Sequence, residues 1–247
     1  GEIDLTASVD RADARVVWRY MPHVVNAEAR NWIRRSLLAG QGSEGRLVLK
    51  GNLYDFPFRD DKGGKFIVTA KVQGGKVDYV SGWPLIDNID ADLTFGVGMK
   101  IAARKGTILG AHLSDVSVAI PDFDVHDEML LVKGLAQGPT SEFLRFLDRS
   151  PVGASIDRFT EGMKASGNGS LDLDLKVPLR RSLESEVRGE YRFVNNQIEP
   201  VSALPPITKV NGRLSITEKS VSAQDITGQI FGGPLKVLVK SGEGKVT

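Results

Sequence analysis

The sequence predicts a mainly β chain: an open, strongly curved antiparallel sheet forming a groove of tandem repeat units, with a few short helices. Three observations carry this. Aliphatic and polar residues alternate with period two along many short runs, the mark of strands with one dry and one wet face. Glycine is abundant, 27 of 247 residues, and falls largely between those runs, as tight turns between strands require. Candidate helices number two or three, too few to cover a sheet of about a dozen strands.

Residues 1–25 read as a strand entering from a preceding repeat. Asn26 can cap a helix running to Leu38, with Ala29, Ile33 and Leu37 on one stripe, Trp32 beside it and Gly40 past its end. Alternation then appears at Leu47, Leu49 and Leu53; at Phe66, Val68, Ala70 and Val72; at Ile89, Ala91, Leu93 and Phe95; and at Val116, Val118 and Ile120. A second helix is expected from Pro139 to Leu147, stopped by Ser150-Pro151, and a weaker third over Ile156, Phe159 and Met163. The clearest strand is Ser170 to Leu179, where Leu171, Leu173, Leu175, Val177 and Leu179 oppose Asp172, Asp174 and Lys176. Val210, Leu214 and Ile216, then Leu235, Val237 and Val239, complete the series. Gly63-Gly64, Gly74-Gly75, Asn195-Asn196 and Gly232-Gly233 are the expected turns.

The sequence also repeats itself with a period near 121 residues. Gly74-Gly75 falls on Asn195-Asn196, Ser81 on Ser202, Trp83-Pro84 on Leu204-Pro205, Ile89 on Val210 and Leu93 on Leu214. Gly106–Gly110 falls on Gly228–Gly232 with one further residue of offset, and Phe56-Pro57-Phe58 on Val177-Pro178-Leu179 at 121. Residues 26–138 therefore read as repeat unit one and 139–247 as repeat unit two, each a helix plus strands, together one continuous groove segment.

With so few helices, the dry face either closes on itself or stays open as a groove holding something greasy. In the groove reading the expected lipid-binding residues are Leu47, Leu49, Phe66, Val68, Leu93, Phe95, Val118, Leu171, Leu173, Leu175, Leu214, Ile216 and Val237. The alternative is a closed β-sandwich or barrel, a structural or adhesion module with a sealed core and no bound lipid. A transmembrane barrel ranks below both: aromatic residues make up 7% and do not form girdles at strand ends.

Composition narrows the chemistry. The 32 basic and 31 acidic residues are interspersed, so no basic stripe offers itself to nucleic acid. Cysteine is absent, which removes disulfide and thiolate chemistry. No apolar run approaches the roughly 20 residues that span a bilayer. Beginning at Gly1 and ending after a strand-like run, the chain reads as a piece of a longer one, with any membrane anchor elsewhere. Gly40–Gly45 matches G-x-G-x-x-G, but with a helix before it and a strand after it, the reverse of a nucleotide fingerprint. Asp122, Asp124, His126, Asp127 and Glu128 could hold a cation, yet read first as a solvated loop. His23 and His112 stand alone, so no catalytic pairing can be drawn. Asn168-Gly169-Ser170 is a sequon that reads as a glycine-rich turn before a strand. No catalysis, cofactor or metal is expected.

One set of segments goes further. Arg19-Tyr20-Met21-Pro22, Asn31-Trp32-Ile33, Leu37–Gly40, Gly51–Phe58, Asp78–Leu85, Ser150-Pro151-Val152 and Phe231-Gly232-Gly233, in that order, resemble the YhdP branch of the AsmA-like superfamily. That branch is similar in plan to TamB and to eukaryotic bridge-like lipid transfer proteins. The resemblance implies a periplasmic segment of an inner-membrane-anchored protein whose β-groove conducts phospholipid between inner and outer membranes. Phospholipid, neighbouring repeat units and the membrane are its implied partners; it implies no catalytic residues.

Overall fold

The computed structural model describes residues 1–21, 25–59, 63–156, 158–201, 204–242 and 245–246. Thirteen strands form one antiparallel sheet in strict sequence order, β1 through β13, so each strand pairs with its chain neighbours. The end strands do not pair with each other, and the sheet is open rather than a barrel or a closed sandwich. The strands are β1 (Glu2–Asp13), β2 (Leu37–Asn52), β3 (Gly64–Val77), β4 (Ile86–Phe95), β5 (Met99–Ile108), β6 (Ala111–Ile120) and β7 (Met129–Pro139), then β8 (Lys164–Pro178), β9 (Glu186–Glu199), β10 (Ile207–Thr217), β11 (Val221–Ile230), β12 (Gly233–Gly242) and β13 (Lys245–Val246). A meander of this kind has two long lips made of strand ends and hairpin connections. The α-helices α1 (Ala27–Ser36), α2 (Thr140–Asp148) and α3 (Pro151–Ser155) all join strands at the same lip, together with a 3-10 turn at Ala14–Tyr20.

Several sequence expectations change. Asn26 caps α1 through its side chain, which accepts from the Ala29 N–H at 2.7 Å, but the helix ends at Ser36. Leu37 and Leu38 already belong to β2, and Gly40 lies inside that strand. With φ +136°, Gly40 approaches β3 so closely that a Cβ would sit 3.1 Å from the Gly75 Cα. Helical spacing ran on past Ser36 by coincidence, because the pairing of Leu37 with Val77 wins the residue for the sheet. Leu53 starts a 3-10 turn rather than continuing β2. No helix runs over Ile156–Met163; α3 precedes it and turns fill the described remainder.

Gly74-Gly75 and Asn195-Asn196 are not hairpin turns. They lie within β3 and β9 as bulges, where the register against the next strand shifts. A bulge and a tight turn both need positive φ, and Gly74 and Asn195 have φ 60° and 50°, so composition alone does not separate the two. Asn168-Gly169-Ser170 lies inside β8, not in a turn. Gly169 is there because a Cβ would meet the Tyr191 hydroxyl oxygen at 2.0 Å. The alignment of Phe56–Phe58 with Val177–Leu179 also fails: the first follows a 3-10 turn, while Val177 and Pro178 pair with Leu130 and Met129. Ser202, His23 and the side chain of Val239 lie outside the described residues.

One polar cluster fastens α2 to the sheet. Asn196 is fully buried. Its Nδ2 donates to Thr140 Oγ1 at 2.9 Å and to the Ser166 and Asn168 carbonyls at 3.1 Å each. Its Oδ1 accepts from the Val194 N–H at 3.0 Å, so every polar atom of the amide is satisfied. Thr140, at the start of α2, also bonds the Tyr191 hydroxyl at 2.9 Å. Asn196→Ala strands two carbonyls and an N–H in a buried place, and we expect a loss of about 1–3 kcal/mol, read as a lowered urea midpoint with an unchanged far-ultraviolet spectrum before the transition.

Candidate functional site: the apolar face

Register decides which residues share a face, since residues paired across antiparallel strands point the same way. Ala7, Leu47, Val68, Phe95, Met99 and Ile120 form one row across β1 to β6. Leu49 and Phe66 pair beside it. Leu93, Ile101, Val118, Val132, Leu175 and Val187 form the next row, across β4 to β9. Leu171 pairs with Tyr191 and Tyr191 with Leu214; Leu173 pairs with Gly189 and Gly189 with Ile216. Leu214 and Val237 pack on the buried cluster of Val210, Ala223 and Ile226. All thirteen apolar residues singled out in the sequence therefore lie on one face.

The opposite face is polar and knitted by ion pairs. Lys50 pairs with Asp4 at 3.0 Å, Lys105 with Asp90, Lys133 with Asp174 and Lys176 with Glu186 at 2.9 Å each, and Arg104 with Asp92. Exposed pairs of this kind add little stability; they keep one side of the sheet wet.

Burial of the apolar face is incomplete. Each of the thirteen residues is half-buried, neither sealed nor open. Among the described residues eight hydrophobic side chains are buried, four of them no larger than valine or alanine. The accessible surface of the chain is 15648 Å² at 26.8 kDa, against about 11,000 Å² for a compact monomer of that mass. A sandwich would have sealed these side chains against a second layer. Here α2 lies over one end of the face, where Phe143 meets Tyr191 edge-on at 4.9 Å and Tyr191 meets Phe193 at 4.8 Å, and at the other lip Phe56 meets Phe66 at 5.2 Å. Burial pushes the Tyr191 hydroxyl up, with its bond to Thr140 acting the other way.

At the same lip, α1 packs on the 3-10 turn and the start of β2. The expected packing stripe is reduced to Ala29 and Ile33, both half-buried, because Leu37 is a strand residue. Trp32 Nε1 donates to the Tyr79 carbonyl at 3.0 Å, and the Arg34 guanidinium lies 4.9 Å from the Trp18 ring centroid. At the other lip the acidic loop is taken up by arginines. Arg59 binds Asp122 and Asp124, and Arg180 donates Nε to Glu128 at 2.9 Å. The Arg59 guanidinium and the Asp124 N–H hold the Asp122 carboxyl below its ordinary range. Gly40–Gly45 lies within β2, behind α1, so its glycines do not open a helix toward a phosphate.

The sequence reading missed three walls of the face: Leu5 and Ala7 of β1, Met99 and Ile101 of β5, and Leu130 and Val132 of β7. The alternation Met99-Ile101-Ala103 was the available signal for β5. Tyr191 and Phe143 gave none, because their contact joins residues on different elements.

The whole chain, residues 1–247, matches the family model described as YhdP protein. The chain belongs to the YhdP family. Within that family it is similar to the intermembrane phospholipid transporter YhdP of Escherichia coli (strain K12), 24% identical over 246 residues. The match covers 98% of this chain and 19% of that relative, so the chain spans about a fifth of the relative's length. No solved structure matches. The YhdP relative is named for transport rather than for catalysis, and no helix among the described residues is long and apolar enough to cross a membrane.

One titration tests the packing at the helical lip. Burial, helped by Asp78, pushes the Tyr79 phenol up to about 12 from 10.0. Its neutral form is favoured in the folded state, so between about pH 10 and 12 the unfolded chain alone loses this proton, and stability falls as pH rises through that window. The absorbance difference between the chain and Tyr79→Phe should develop near pH 12; a midpoint near 10 would place Tyr79 in solvent.

Proposed function

We propose that the apolar face is a lipid-lined groove, a segment of the path along which a longer protein conducts phospholipid between inner and outer membranes. The observation that carries it is the half-buried state of thirteen apolar side chains on one face of an open sheet that α2 covers at one end. Acyl chains are the occupant that such a face suits, at about 0.8 kcal/mol per buried CH₂. The similarity to the E. coli intermembrane phospholipid transporter suggests the lipid class and the intermembrane setting. In this reading the segment stands in the periplasm, its inner-membrane anchor lies elsewhere in the longer chain, and it needs neither catalysis nor cofactor.

The groove reading includes the repeat, units 26–138 and 139–247. Backbone geometry supports it. Positive φ recurs at Gly74 and Asn195, and at Asn88 and Lys209, each pair 121 residues apart (74 to 195, 88 to 209). The bulges are fastened alike: Asp90 Oδ1 accepts from the Gly74 N–H at 3.0 Å, and Asn211 Oδ1 from the Asn195 N–H at 2.8 Å. The first strand of each unit keeps a different offset. Leu47 pairs with Val68 as Leu173 pairs with Gly189, which puts Leu173 126 residues after Leu47 (47 to 173), because the chain from β8 to β9 is five residues shorter between these partners (173 to 189) than the chain from β2 to β3 (47 to 68).

Leu173 is the position to change. In an open groove, lysine at 173 stays hydrated by reaching toward the mouth, so folding should suffer by about 1–2 kcal/mol while lipid co-purifying in native mass spectrometry drops several-fold. Asp172→Lys, on the polar face, should alter neither. A collapsed melt for Leu173→Lys would mean a sealed core, and full lipid occupancy would mean that β8 does not line the path.

A further inference from the structure

At the helical lip α2 roofs the β3–β4 and β5–β6 connections of the first unit, whereas their counterparts in the second unit are exposed. Helix α2, which opens the second unit, reaches back over the first. Its Phe146 ring lies 5.8 Å from Trp83 in the β3–β4 connection. Its Glu142 Oε2 accepts from the Gly110 N–H at 3.1 Å in the β5–β6 turn. Glu142 and Phe146 are four residues apart, hence on one side of the helix.

The repeat assigns a counterpart to each of these seats. Trp83 corresponds to Leu204, and Leu109-Gly110 to Phe231-Gly232; Leu109 and Phe231 share φ 52°. The counterparts are uncovered. Leu204 is 58% exposed and Phe231 89%. Among the described residues no side chain accepts from the Gly232 N–H, whereas Gly110 has Glu142.

We propose that Leu204, Phe231 and the Gly232 N–H form a docking surface for one further amphipathic helix of the α2 kind. This helix carries a carboxylate in its first turn and an aromatic ring one turn later, and it is supplied by a following unit of the longer chain. The proposal rests on the repeat reading. Two things commit it to this occupant. Two of the corresponding seats in the first unit, Trp83 and the Gly110 N–H, already hold such a helix, and the YhdP relative, of which this chain spans 19%, has length for further units. A nine-residue helix like α2 is marginal alone in water, so helix and seat need each other. Each helix then ties two units together along one lip and leaves the other lip free.

The test tethers a copy of residues 137–156 to the C-terminus through a Gly/Ser linker of about 25 residues, whose average span of about 27 Å reaches back along one strand. Amide exchange at Ile230–Gly233 should slow at least tenfold, and the Leu204 methyl resonances should shift. Glu142→Gln in the tethered copy should weaken the protection of Gly232. Leu204→Asp with Phe231→Asp, both at exposed sites, should abolish the protection and leave the melt unchanged. Protection that survives this double variant, or none with the tether, overturns the docking surface. A dimer of the untethered chain that hides Leu204 and Phe231 overturns it in favour of a second copy. Phe146→Ala in the native α2 separates the two readings. If it leaves Gly110 exchange unaltered, the roof over the first unit is wrong and the repeat argument falls; if it frees Gly110 while the tether fails, the docking surface alone falls.

Discussion

Everything in this molecule depends on cross-strand register. Side chains alternate between faces with period two, so a slip of one residue in any hairpin would turn that strand's aliphatic set onto the charged side. Twelve successive antiparallel pairings hold the pattern closely enough that rows such as Leu93, Ile101, Val118, Val132, Leu175 and Val187 cross six strands without a charged residue. On the other side the same pairings bring Lys133 to Asp174 and Lys176 to Glu186. A wrong register would bury those charges against aliphatics and expose leucines to water, and both costs favour the observed one.

Bulges are where the register yields, and they yield in an ordered way. Gly74 and Asn195 adopt positive φ, and a side-chain oxygen from the next strand accepts the N–H that the bulge sets free. Bulges bend strands and raise twist, which turns a flat sheet into a curved one without breaking the alternation on either side. The helices add a second constraint. Placed at a single lip, and fixed there by Asn196, Thr140 and Tyr191, α2 covers the end of the apolar face and leaves its length open.

Strand existence and facing were legible in the sequence because they depend on nearest-neighbour alternation, a local property. That is why Leu171, Leu173 and Leu175 could be placed on one side with Asp172 and Asp174 on the other. Bulges were misread as turns at Gly74-Gly75 and Asn195-Asn196, because both features select residues that tolerate positive φ. The end of α1 was overrun because Leu37 satisfies helical and strand patterns alike, and only its pairing with Val77 decides. The sequon glycine, Gly169, looked like turn chemistry when it is the space that the Tyr191 phenol occupies. Contacts such as Phe143 with Tyr191, or Arg59 with Asp122, join residues far apart in the chain and left no local signature.

If the apolar face is the lipid path, one face of this sheet, and one face alone, meets lipid. Photo-crosslinking tests it most directly, with a benzophenone side chain placed in turn along the row crossing β4, β5, β6 and β8. Leu93, Ile101, Val118 and Leu175 should capture phospholipid in cells, while their neighbours Asp92, Ala102, Ser117 and Asp174 should capture none. Capture that ignores this alternation, or that favours the second set, would rule out a lipid path along the apolar face.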